Sequence, residues 1–565
     1  MTKYHTCYNE KDLADKRDSE RRDEPIVKER DNRFVKNAAI LSVAGIFVRA
    51  LGAIYRIPLA RFAGEEIMGL YQMAYPIYTT LLAISISGPP IAVAKMVAER
   101  VARQKYRAAQ RVFLISMLVL GAVGLLSTIV LMSASPYLVN HVLGDKRALG
   151  ALLAMAPAVF FVALMSGMRG YFQGLQHMVP YAISQIVEQV VRVGIALGLG
   201  FYLLSLNKAP GTVAAGISSG VSLGGLAGLI VLLLAYSKLK PSLEQKWQRE
   251  RRVGESGRKI MKEFATLAIP ITIGGIVLPF MQLIDAGVVP RRLLAAGFTQ
   301  AEATGLYGQL SGMATPLINL PQMFTVALVA SLIPSIAAAI SLGQRQLVQM
   351  RSVLALKLAM LINLPAAVGL SVLATPIGIL LYGEQSGTGV GFPLSVLAYV
   401  VAFLAVQQTT SGILQGLGKT YVPVINLFFG ALAKLVATYF LTAMPALNIR
   451  GSALSTVIGF AVSSILNYRA MRRVSGISVP LGSTFIRPSL AAAGMGVAAY
   501  YSYSWLAGSF SNTLATLFSV ALAVILYGLL VLLMGALTAK ELAAIPKIGK
   551  PLSQMLLRLH LIREG

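Results

Sequence analysis

Cysteine is nearly missing: Cys7 is the only one, so no disulfide can close within the chain. Histidine is scarce as well. His5, His141, His177 and His560 lie far apart, which excludes a His/Cys metal cluster. Charge is thin, at 13% of residues, where a soluble domain carries about 25%. Acids are the scarcer sign, with 23 Asp and Glu against 50 Lys and Arg. There is no phosphate-cradling P-loop and no nucleophile elbow. Enzyme chemistry and ATP-driven transport by this chain alone are therefore not expected. No cofactor is implied beyond a coupling ion of unknown identity.

What the chain does have is apolar length. Hydrophobic residues make up 56% of it, and mean hydropathy is +0.69. Spans of roughly 20 apolar residues mark transmembrane helices. Fourteen can be placed, near 37–60, 68–98, 112–133, 148–172, 180–204, 212–236, 263–289, 305–340, 351–381, 391–415, 421–443, 450–470, 485–506 and 512–536. The fold expected is an all-α polytopic membrane protein. Proline and glycine in spans two, eight and nine (Gly88-Pro89-Pro90, Pro316, Pro321, Pro365) predict kinks there.

The net charge of +27 does not point to nucleic acid, because the cations fall in short loops. Arg100, Arg103, Lys105, Arg107 and Arg111 form one cluster, and Lys238 to Lys262 another. Arg345, Arg351, Arg469, Arg472, Arg473 and the segment after Lys540 share their side of an alternating bundle. The positive-inside rule then puts both termini in the cytoplasm. Residues 1–33 are densely charged, lack an apolar core of the signal-peptide kind, and are expected to be a disordered cytoplasmic tail.

The chain repeats itself. Gly69-Leu70-Tyr71 opens span two and Gly305-Leu306-Tyr307 opens span eight. Gly170 to Leu175 closes span four as Gly412 to Leu417 closes span ten. Both matches lie about 240 residues apart. The organisation expected is two six-helix lobes of parallel topology, an arrangement common in transporters. The boundaries expected are an N-lobe at 34–237, a basic linker at 238–262, a C-lobe at 263–471, a helix pair at 472–538 and a cytoplasmic tail at 539–565.

Charges inside membrane spans are costly and mark watery paths. Arg49 and Arg56 in span one are seven residues apart, nearly two turns, so they share a face. Arg49 is too deep to reach the interface easily, whereas Arg56 could snorkel. In span five, Glu188 and Arg192 are placed to pair at i,i+4, on a face shared with Ser184. The repeat sets Ser184, Glu188 and Arg192 over Asn426, Gly430 and Lys434. Lys434 reads as an unpaired cation at matching depth. Asp285 in span seven either pairs with an arginine or binds a coupling cation. Arg169 reads as an interface anchor or a headgroup contact, and Lys95 and Glu99 as a solvated helix end. The expectation is one hydrated cavity of positive potential that attracts a phosphate-bearing anion. Arg49, Arg56, Arg192 and Lys434 would bind it, supported by Glu188, Asp285, Ser184 and Asn426. Gly216, Gly220, Gly224 and Gly228 in span six read as a packing stripe.

Two stretches resemble a known family. Arg169-Gly-Tyr-Phe-Gln-Gly-Leu-Gln-His-Met-Val-Pro180 followed by Ser184-Gln-Ile-Val-Glu188-Gln-Val-Val-Arg192 is similar to the SpoVB-like and MurJ-type flippases of Gram-positive bacteria. So is Ser87-Gly-Pro-Pro-Ile-Ala-Val-Ala-Lys95-Met-Val-Ala-Glu99. These belong to the multidrug/oligosaccharidyl-lipid/polysaccharide exporter superfamily. The resemblance covers residues 34–540. It implies translocation of lipid II, an undecaprenyl-pyrophosphate-linked precursor, across the bacterial plasma membrane for peptidoglycan synthesis. It also implies that the last helix pair forms a groove for the lipid tail. Gram-negative members carry arginines in their first, second and eighth helices; this chain matches in the first only. A precursor of teichoic acid or capsule on the same carrier fits the sequence equally. A cation-coupled drug exporter fits the charge sign poorly. A scaffold recruiting cell-wall enzymes through its tails would leave the buried charges without a use.

Overall fold

The computed structural model describes residues 40, 41, 43–248 and 255–536. The expected terminal tails, Ser42 and the cations Arg249, Arg251 and Arg252 lie outside the described residues. The described residues are helical throughout, because only a helix satisfies its own backbone inside hydrocarbon without an open sheet edge. In chain order we number α1 (43–54), α2 (Arg56–Ile86), α3 (Pro89–Ala102), α4 (Tyr106–Leu138), α5 (Leu149–Gly174), α6 (Met178–Ser205), α7 (Pro210–Gln248) and α8 (Gly257–Ala295). Then follow α9 (Gln300–Tyr307), α10 (Thr315–Ser341), α11 (Arg345–Val372), α12 (Ala374–Leu397), α13 (Val400–Gly416), α14 (Tyr421–Leu441), α15 (Asn448–Ser475), α16 (Arg487–Leu506) and α17 (Asn512–Leu533).

Among the described residues, eleven helices are long and apolar enough to cross a membrane, and the bent pair α12–α13 makes a twelfth span. Two more crossings complete the bundle. Gly64, at φ 77° and ψ 174°, breaks α2 and divides the long first run into two crossings. The small-residue helix α16 is the other. Fourteen spans result, as the hydropathy pattern indicates.

The repeat is written into the turns. Five pairs of residues adopt positive φ about 240 residues apart. They are Gly64 and Gly297, Gln104 and Gly343, Gly144 and Gly383, Gln176 and Gly418, and Asn207 and Asn448. Each pair occupies the same inter-span turn of its lobe. A left-handed residue closes a helix end without steric penalty only in glycine, or nearly so in asparagine.

The kink expected in span two is present, while spans eight and nine differ in detail. Span two breaks at Ser87-Gly88, with Pro89 opening α3. Span eight carries a π-helical segment, Gly308–Ala314, ahead of Pro316, and Pro321 sits inside α10. Span nine does not break at Pro365, which sits inside α11; the break falls at Leu373, before Pro376 in the first turn of α12. The described residues of the stretch expected as a linker are mostly helix, since α7 runs to Gln248 and α8 starts at Gly257.

The lobes meet along α2. Gly69 lies so close to the Thr304 carbonyl that an added Cβ would sit 2.0 Å from it, and Gly308 faces the Glu65 carbonyl at the same distance. Two spans cross backbone to backbone there. Gln72 donates to the Ser311 carbonyl at 2.7 Å, and Gln309 to Glu65 at 2.5 Å. Nearby, Arg147 pairs with Glu66 at 2.5 Å and Asp145 at 2.8 Å, and Thr304 donates to Asp145 at 2.8 Å. Burial pushes the Asp145 carboxyl up. The Arg147 guanidinium, the Thr304 hydroxyl and the Arg147 N–H outweigh that and hold it below the usual aspartate value. On the basic face, Arg100 is 7% exposed and grips Glu255 at 2.6 Å and Glu263 at 2.9 Å, tying α3 to the start of α8. The pair α16–α17 packs against α11 and α12 of the C-lobe.

Candidate functional site

Between these two seams a cavity of about 370 Å³ opens between α1 and α10. Arg49, Gly52, Ala53 and Arg56 line one wall; Pro316, Asn319, Gln322, Met323 and Val326 line the other, with Gln408 of α13. A second cavity of about 320 Å³ continues into the C-lobe and shares Val326 and Gln408. Its polar lining is amide and hydroxyl, from Gln407, Ser411 and Gln415, set among apolar residues such as Val329, Val424 and Leu427. The first cavity therefore has a cationic side and a neutral polar side.

Arg49 and Arg56 share one face, as their spacing requires. Neither has a carboxylate within ion-pairing distance among the described residues. Arg56 does not snorkel to the interface. It sits over the Tyr75 ring, 5.8 Å from its centre, and its Nε is buried without a partner. Tyr71 stacks on Tyr75 and Tyr78 tilts against it along α2, with ring centres 5.7 Å and 6.0 Å apart. This ladder runs from Arg56 toward Arg192, where α2 packs against α6. The i,i+4,i+7 spacing of those tyrosines was visible in the sequence and marks one helix face.

Arg192 pairs with Glu188 at 2.7 Å, as the i,i+4 spacing predicts. Glu188 has a second partner, Arg169 of α5, at 2.9 Å. Arg169 is thus neither an interface anchor nor exposed: its side chain is 12% exposed, and its Nε donates to Ser184 at 3.0 Å. The glycine stripe of α7 makes this arrangement possible. Gly220, Gly224 and Gly228 press against the backbone of α6 at Arg192, Glu188 and Ser184, with no room for a Cβ. The stripe that reads as packing in the sequence also sets the depth of the charged face.

Lys434 corrects one expectation. It is not an unpaired cation in a shared chamber but is 5% exposed, with Nζ on Asp285 Oδ2 at 2.5 Å. Asp285 therefore pairs with a lysine, not an arginine. Desolvating a charge inside the bundle is costly enough to demand a partner, and α8 supplies one to α14. Asn426 donates to Asn467 at 2.8 Å, and Asn467 to Ser411 at 2.9 Å. The structure thus brings Arg49 and Arg56 together in the cavity, links them through the tyrosines to Arg192, Glu188 and Ser184, and sets Lys434, Asp285 and Asn426 in the C-lobe wall. Counting Arg49, Arg56, Arg169 and Arg192 against Glu188, the N-terminal side keeps a positive excess.

The model of the family described as polysaccharide biosynthesis protein matches residues 34–339, more than half of the chain. The chain belongs to that family. Among curated proteins it is 29% identical to stage V sporulation protein B of Bacillus subtilis (strain 168), over 92% of this chain and 98% of that one. It is 27% identical to the lipid II flippase MurJ of the same organism, over 79% of this chain and 84% of MurJ. The fold is that of a lipid II flippase MurJ solved in an inward closed conformation, with TM-score 0.62, 17% identity, and coverage of 87% of this chain and 98% of that one. It is also that of an inward-facing multidrug resistance MATE family transporter of the MOP superfamily, with TM-score 0.64, 16% identity, and coverage of 78% and 98%. The relatives with a named activity are flippases and transporters, not enzymes. This polysaccharide biosynthesis family member is a multi-pass membrane protein.

Proposed function

We propose that this protein is a flippase for a polyprenyl-pyrophosphate-linked cell-wall precursor, with lipid II as its substrate, in the bacterial plasma membrane. The observation that carries the proposal is the membrane-embedded cavity whose one wall is Arg49 and Arg56 without carboxylate partners. Such a site suits an anionic headgroup, because a guanidinium binds phosphate oxygens in a charge-assisted, bidentate fashion. It suits a cationic drug poorly. The neutral wall of Asn319, Gln322 and Gln408 is matched to sugar hydroxyls and amides. The lipid chain would lie in the groove of about 380 Å³ between α11 and the pair α16–α17, lined by Leu361, Pro365, Met495, Ala523 and Tyr527 among others. Similarity to stage V sporulation protein B and to MurJ supports the reading. With the basic face in the cytoplasm, an anion that binds one lobe arrangement more tightly shifts the population toward it, which is alternating access. Teichoic-acid and capsule precursors share the pyrophosphate and the carrier, so substrate identity is what the experiment must read. The test is leaflet accessibility of labelled lipid II in cells carrying only this protein. Flipping should require Arg49 and Arg56, and the double alanine variant should lose it at unchanged expression. Normal flipping by that variant, or none by the parent chain, would end the proposal.

A further inference from the structure

We propose that Arg169, Arg192 and Tyr78 form an anion site in the N-lobe and that Glu188 is its built-in occupant, displaced when a phosphate arrives. The proposal rests on the flippase reading for the identity of the phosphate, but the site itself does not. Glu188 gives one oxygen to Arg169 at 2.9 Å and the other to Arg192 at 2.7 Å. One carboxylate thus spans two guanidinium groups, as one phosphate group would. The cluster carries one positive charge in excess. Its three charged side chains are only 12–16% exposed.

Independent observations at the same place point to a ligand. Tyr78 is 1% exposed, and its hydroxyl has no hydrogen-bond partner. It lies where α2 packs against α6, near both Arg192 and Glu188. The Nε of Arg192 is likewise buried without a partner. A buried hydroxyl and a buried guanidinium N–H left unsatisfied each cost stability. The Glu188 carboxylate has its two oxygens turned to Arg169 and Arg192, and neither reaches the Arg192 Nε or the Tyr78 hydroxyl. A phosphate brings more acceptors, enough for the Arg192 Nε and the Tyr78 hydroxyl as well. The tyrosine ladder leads from this site toward Arg56, which sits over Tyr75 beside Tyr78, so a headgroup with two phosphates has a further cation beyond the ladder. Glu188 keeps the guanidinium groups paired while the site waits, which avoids uncompensated charge inside the bundle. It also sets affinity, because an incoming anion must compete with it, and it provides a route for release.

The test uses the full-length protein and inorganic pyrophosphate, read by calorimetric titration and by the melting temperature with and without the anion. Glu188→Gln removes the competing charge but keeps the shape. It should lower the melting temperature of the anion-free protein, bind pyrophosphate about tenfold more tightly than the parent, and gain more melting temperature from it. Tyr78→Phe should weaken binding severalfold, with little change in anion-free melting temperature. Equal or weaker binding by Glu188→Gln would overturn the proposal, since a merely structural carboxylate predicts that result. If that variant does not fold, unchanged affinity in Tyr78→Phe overturns it instead. Tighter binding by Glu188→Gln together with no flipping of any lipid-linked precursor by the parent chain would sink the flippase reading and leave the site standing. Flipping without the tightening would do the reverse.

Discussion

In the first lobe Glu188 answers two cations, Arg169 and Arg192; in the second Asp285 answers one, Lys434. The backbones around the two clusters are repeats, with α5–α7 standing for α13–α15. Arg169 corresponds to Ser411, Glu188 to Gly430 and Arg192 to Lys434 in the register of the repeat. At Gly430 an added Cβ would lie 2.6 Å from the Gly459 carbonyl, so no carboxylate fits there and the counter-charge must come from α8. The same scaffold thus yields a buried cluster with surplus charge on one side and a buried neutral pair on the other. Fold symmetry does not carry electrostatic symmetry with it. The division suits a cargo that is anionic at one end and neutral at the other.

The largest expected effect that would break this contrast is in the neutral pair. Lys434→Ala leaves Asp285 buried and uncompensated and should destabilise by about 3–5 kcal/mol, whereas replacing both with apolar residues of similar volume should cost far less. Melting curves of the single and double variants decide it, and a silent single variant would mean the pair is solvated. Next comes the seam joining the lobes. Gly69→Leu drives a side chain into the Thr304 carbonyl and should cost about 1–3 kcal/mol of stability, together with flipping activity. Normal melting and flipping would show that the lobes do not close at Gly69. A smaller effect sharpens the comparison from the side with surplus charge. Arg169→Gln should cost about 1 kcal/mol, less than Lys434→Ala, because Glu188 keeps Arg192; equal costs would erase the distinction.

The smallest effect concerns Asp145. Its folded-state pKa is depressed, so the unfolded chain takes up the proton first as pH falls. The stability it contributes is whole above the ordinary aspartate range and drains away as pH drops through the folded value. Asp145→Asn should therefore melt with a shallower dependence on acid than the parent. Identical acid profiles would place the Asp145 contacts outside the folding equilibrium.

The amino-acid sequence by itself determined the membrane class, the fourteen crossings, the repeat and the Glu188–Arg192 pair. Each of these follows from composition or from short-range geometry: hydrocarbon selects apolar length, and a helix places residues four apart on one face. Tertiary structure decided the rest. Lys434 meets Asp285 across 149 positions, and Arg169 meets Glu188 across a turn and two helices. Tyr78 acquires meaning only where α2 faces α6. The bend of span nine belongs to Leu373 and not to Pro365, because neighbouring helices tolerate a proline inside α11. Which charge a buried carboxylate finds depends on which helices press together, and that is settled by close packing between segments far apart in the chain, where glycines such as Gly69 and Gly224 let backbones touch.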